Sequence, residues 1–102
     1  MTNGVQDRPE RHRYEITADG EVAGFAAYAL RGTELTLSHT EVDPAYEGKG
    51  LGSVLVRHVL DDARERGLAV LPACPFVRSY LQRHAEYVDL VPAGARPRYG
   101  LG

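Results

Sequence analysis

Apolar and polar residues alternate from Arg13 onward. Tyr14 and Ile16 stand between Arg13, Glu15 and Thr17, the period of two that marks a half-buried strand. Asp19-Gly20 is a tight-turn pair, and Val22 to Arg31 predicts the second, longer strand of a hairpin that Gly32 ends. Thr33 to Val42 predicts a third strand, with Leu35, Leu37 and His39 on one face and Glu34, Thr36, Ser38 and Thr40 on the other. The period then changes. Asp43-Pro44 opens a loop, and Leu51 to Arg66 predicts a helix with Leu51, Val54, Leu55, His58, Val59 and Ala63 along one stripe. Gly67 is a helix stop, Leu68 to Ala73 has strand length, and Pro75 suits the first turn of a second helix, Phe76 to His84. Tyr80 and Leu81 lie on that helix's expected inner face, and Glu86 to Val91 predicts a last strand. The order gives an α+β domain with a mixed sheet over residues 12–92. Residues 1–11, polar and without a period, read as a mobile tail, and residues 93–102, rich in Pro, Gly and Arg, as a loose end.

Composition narrows the class. A chain of 102 residues holds one core. A formal net charge of −2 and a pI near 6.0 argue against broad, charge-driven nucleic-acid binding, where a basic face is expected, and leave a local basic pocket open. The single cysteine, Cys74, excludes an internal disulfide framework and a cysteine-cluster zinc site, so no metal is expected. Its free thiol suits a reducing compartment. No apolar run approaches the roughly 18 residues of a membrane span, and the N-terminus lacks a signal-peptide core. A cytoplasmic protein without membrane contact is the expectation.

Candidate chemistry centres on Gly48, Gly50 and Gly52, with Lys49 among them, at the start of the first helix. Glycines there let a backbone approach a ligand and turn free amides toward it, and the helix dipole favours an anion. A turn needing positive φ accounts for them equally well. Two phosphate motifs fail: Gly50 follows Lys49 where a P-loop needs Ser or Thr, and the glycine spacing is not G-x-G-x-x-G. ATP and NAD are poor candidates.

The stretch V-D-P-A-Y-E-G-K-G-L-G resembles motif A of the GNAT acetyltransferase superfamily, through Val42, Pro44, Gly50 and Gly52. Glu47 departs from it, standing where the superfamily usually has Arg or Gln. The strand end HTEV and the segment CPFVRSYLQRH extend the likeness to a small YjdJ-type branch, over about Arg13 to Val91. The resemblance implies a minimal GNAT-like mixed sheet, splayed between Thr33–Val42 and Leu68–Ala73 and flanked by two helices. It implies acetyl-CoA as cofactor and N-acetyl transfer to an amine.

The coenzyme A pyrophosphate would rest on the amides of Gly48, Lys49, Gly50, Leu51, Gly52 and Ser53, with Glu47 contributing mainly its backbone. The pantetheine arm would run along Glu41 and Val42. His39 would serve as general base or proton relay, as against a core-edge histidine with one hydrogen bond. Cys74 would border the acetyl group, taking it covalently or shaping the site, as against an inert core thiol. Tyr80 would protonate the departing thiolate, as against a buried core tyrosine. The acceptor stays open among a protein lysine, a polyamine and a small amine. A non-catalytic acyl-CoA-binding or interaction module is the competing reading, and a domain whose loop holds no ligand a third.

Overall fold

A computed structural model describes residues 3–101. Five strands run in the order β1 (Asn3–Arg8), β2 (Arg13–Ala18), β3 (Glu21–Arg31), β4 (Glu34–Val42) and β5 (Ala69–Pro72). The first four pair antiparallel; β5 joins β4 parallel, from Glu34 opposite Ala69 to Leu37 opposite Pro72. A parallel neighbour needs a crossover, and α1 (Leu51–Glu65) supplies it. Helix α2 (Pro75–Arg83) follows β5, with Cys74 as its N-cap and Pro75 in its first turn.

Tyr14, Ile16, Leu35, Leu37 and Val70 join Leu55, Val59, Leu60 and Leu81 in one buried cluster. The buried stripe of α1 is Leu51, Leu55, Val56, Val59, Leu60 and Ala63, whereas Val54 is 43% exposed and His58 faces out. The expected stripe is therefore turned toward Val56 and Leu60. α1 packs against the sheet and also against α2 and the segment after it, so its buried face is wider than a one-sided pattern suggests.

Three expectations change. Residues 3–8 of the expected tail form the edge strand β1 (residues 1–2 lie outside the described residues). Only Val5 and Asp7 of β1 are half-buried, which explains the missing period. Asp7 anchors it by accepting a hydrogen bond from the Tyr28 hydroxyl at 2.6 Å. The last strand expected at Glu86–Val91 is instead a 3-10 helix, Ala85–Leu90. It is clamped onto α1: Arg64 donates to both carboxylate oxygens of Asp89 and to the Glu86 carbonyl, and Tyr87 donates to Asp61 at 2.6 Å. These side chains hold its apolar residues on the core without a sheet edge. Residues 93–101 are not a loose end: short 3-10 turns at Ala93–Ala95 and Pro97–Tyr99 bury Ala95, and Arg96 donates to the Val91 carbonyl at 2.9 Å.

Candidate functional site

The site begins where β4 and β5 part. Their pairing ends at Leu37, where the Cys74 amide donates to the Leu37 carbonyl at 2.9 Å, while β4 continues to Val42. The sheet thus opens into the expected splay, leaving the far edge of residues 38–42 without a strand beside it. The Asp43 amide donates to the Ala23 carbonyl at 2.7 Å. Amides alternate along a strand, so the Val42 amide points away from β3, into the opening, and the Glu41 amide points toward β3.

A bulge decides which side chains enter. Ala27 faces His39 but Tyr28 faces Leu37, making Ser38 an extra residue in β4. One inserted residue reverses the alternation beyond it. His39 and Glu41 therefore turn outward, with His39 exposed, while Thr40 and Val42 take the inner side with Leu35 and Leu37. This corrects the strict alternation, which put His39 inward and Thr40 outward.

Thr40, Val42, Glu47, Gly50, Leu51 and Phe76 are among the walls of a cleft of about 360 Å3 at the opening. Among the described residues, no backbone carbonyl accepts from the six amides of residues 48–53; the first bond of the helix runs from Val54 to Gly50. No acidic residue occupies the first turn of α1, so that end keeps its positive potential. Glu47 is different, because its amide donates to the Pro44 carbonyl at 3.3 Å.

The glycines have two separate causes. Gly48 and Gly50 have φ of +81° and +72° with open space around them, a conformation that disfavours a side chain. At Gly52 a Cβ would stand 2.7 Å from the tip of Phe76; here α1 and α2 come close and jointly wall the cleft. Free amides, a dipole and an adjoining cleft fit a pyrophosphate carrying a thin pantetheine arm.

The three candidate chemical residues are not gathered in one place. Cys74, 3% exposed, donates through Sγ to Thr40 Oγ1 at 3.5 Å, tying the start of α2 to the inner wall. His39 lies on the outer face, its Nε2 3.9 Å from Glu41 Oε1 and its ring 5.9 Å from that of Phe25. Tyr80 is buried, is not among the residues lining the cleft, and stacks on His84 at 3.9 Å. Burial pushes its phenol above the usual range. Thr40 and Phe76 are cleft residues that sequence reasoning missed. Thr40 is visible only through the bulge, and Phe76 through the contact it makes with Gly52. Among the described residues no cluster could hold a metal ion, and no helix is long and apolar enough to cross a membrane.

A mixed sheet opened between two parallel strands, with a helix N-terminus beside the opening, makes an α+β domain with an anion-attracting end at the splay. Residues 13–90 match the GCN5-related N-acetyl-transferase family, and the chain belongs to it. It is 47% identical over 64 residues to streptothricin acetyltransferase of Streptomyces lavendulae, covering 61% of this chain and 34% of that protein. It is 38% identical over 68 residues to the ribosomal protein bS18-alanine N-acetyltransferase of Escherichia coli K12, covering 66% and 46%. The chain thus spans between a third and a half of the length of these curated relatives. A GCN5-like protein from Staphylococcus aureus has the same fold, with a TM-score of 0.67 over 87% of both chains at 22% identity.

Proposed function

We propose that this chain binds acetyl-CoA in the cleft between β4 and β5 and transfers the acetyl group to an amine. The observation that carries this reading is the run of six amides, residues 48–53, that find no acceptor among the described residues and border a cleft walled by α1, α2 and the end of β4. Acetyl-CoA supplies an acyl group activated as a thioester. The amides of Gly48 to Ser53 would hold its pyrophosphate, and the Val42 amide would be available to the thioester carbonyl oxygen, where negative charge develops. Glu41 and Glu47 contribute as neighbours of those amides, and the Glu41 carboxylate lies beside His39.

The acceptor approaches from the outer face of β4. There His39 takes a proton from the ammonium, with Glu41 close enough to stabilise the imidazolium. The neutral nitrogen would then attack the thioester carbon, forming the C–N bond as the C–S bond breaks, and the second proton shed by the nitrogen would pass to the leaving thiolate. Cys74 shapes the inner wall with Thr40, leaving transfer direct. Tyr80 acts through packing. A reducing compartment such as the cytoplasm keeps Cys74 a thiol.

The test follows intact mass and free CoA during incubation with acetyl-CoA and a panel of amines. Amine-dependent CoA release supports the proposal, and an acetyl adduct on Cys74 that decays on adding amine would move the reaction to a covalent route. CoA that binds and is never turned over identifies a binding module. CoA that gives no thermal stabilisation overturns both CoA readings.

A further inference from the structure

A second cleft, of about 610 Å3, lies along the outer side of β4. Two backbone features shape it. The bulge at Ser38 turns His39 and Glu41 toward it. Gly24 lets β3 close on β4 so tightly that a Cβ would meet the Glu41 carbonyl oxygen at 2.6 Å. Thr40, Val42 and Glu47 border this cleft and the first one, so the two meet at the end of β4.

The charge of its walls is one-sided. Glu41, Asp43 and Glu47 contribute three carboxylates, and among the described residues that line it there is no Lys or Arg, His39 being the one that could carry positive charge. Arg13, stacked over the Phe25 ring at 4.6 Å, is engaged by Glu15 at 2.7 Å. Phe25, which already carries the Arg13 guanidinium, adds an apolar ring edge suited to an alkyl chain. Glu47 gains a purpose here. A carboxylate beside a pyrophosphate loop is repelled by the cofactor, whereas beside an arriving cation it attracts.

Resting on the acetyl-transfer reading, we propose that this second cleft admits the acceptor and selects an alkylamine with at least one positive charge besides the reacting nitrogen. The reacting nitrogen must become neutral before it attacks, so carboxylates that merely recognised its charge would oppose the reaction. They favour it by holding a charge that persists. A free polyamine and a lysine chain in a basic peptide share this chemistry.

The test is a 15N–1H NMR titration of the full chain with spermidine, a trilysine peptide and n-propylamine, without acetyl-CoA and at low salt. We expect spermidine or trilysine to shift amides within residues 22–25 and 39–47. Glu41→Gln and the double variant E41Q/E47Q should weaken that binding several-fold and then at least ten-fold, with 0.5 M salt weakening it in the parent chain. The stronger of the two polycations identifies the source. Equal binding of n-propylamine, shifts confined to other residues, or affinity unchanged in E41Q/E47Q overturns the proposal. Acetyl transfer is assayed separately: a protein that binds spermidine in this cleft but releases no CoA defeats the transferase reading alone, and one that acetylates n-propylamine as efficiently as spermidine defeats the selectivity alone.

Discussion

Glu15 is 3% exposed on a strand whose alternation points it away from the core. Burial disfavours its charge, yet hydrogen bonds from Arg13 and Arg11 outweigh that cost and hold its pKa below the usual value. Arg8 stands 3.5 Å away. A folded-state pKa below the unfolded one stabilises the protein above the unfolded value, and the contribution is lost as pH falls through the folded value. Glu15→Gln should therefore cost about 1–2 kcal/mol at pH 7, with the difference from the parent shrinking below about pH 4; urea unfolding at both pH values measures it. Gly52→Ala separates two uses of glycine. Its new methyl meets the tip of Phe76, which is 38% exposed and able to swing. The stability loss should stay within about 1–2 kcal/mol, but the displaced ring narrows the cleft, so the Kd for CoA in calorimetry should rise. Tyr80→Phe should leave kcat within two-fold (about 0.4 kcal/mol) because the ring packs on His84 and does not line the cleft. A ten-fold loss of kcat at unchanged Tm would instead make its hydroxyl a proton donor.

At the scale of elements, α1 shows what periodicity conveys and what it leaves out. Leu60 is fully buried and Val54 is 43% exposed. Leu60→Ala should cost about 2–4 kcal/mol, whereas Val54→Ala should stay within about 0.5 kcal/mol; denaturant midpoints distinguish them. The helix, its start and its stop were all legible, since spacing and Gly67 act locally. Which flank of the stripe is covered depends on α2 and the 3-10 helix, which begin 10 and 20 residues beyond its end. β4 is the stronger case. Leu35 and Leu37 obey the alternation, and the bulge at Ser38 then reverses it for His39 and Thr40. No local residue type demands a bulge there; it arises from how β3 and β4 register against each other. Edge strand β1 was illegible for a different reason: its residues bury little, and its anchor is the partnership of Asp7 with Tyr28. Asp7→Ala should cost about 1–3 kcal/mol by leaving that phenol unpaired, and amide exchange across residues 3–8 should accelerate.

Across the molecule, both clefts meet at one end of the sheet, so ligand binding and folding stability are linked there. At 100 times its Kd, CoA should stabilise the chain by about 2.7 kcal/mol, read as a rise of several degrees in Tm. The amino-acid sequence by itself determined the α+β class, the hairpin, both helices, the glycine loop and its likeness to an acetyltransferase motif. These depend on short-range periodicity, turn chemistry and ordered motifs, which the chain carries locally. Tertiary structure alone decided the placement of Cys74 beside Thr40, the outward turn of His39, the packing of Tyr80 on His84, and the acidic cleft behind β4. Each depends on register or on contacts between distant segments, and a single inserted residue in one strand is enough to exchange the inside for the outside.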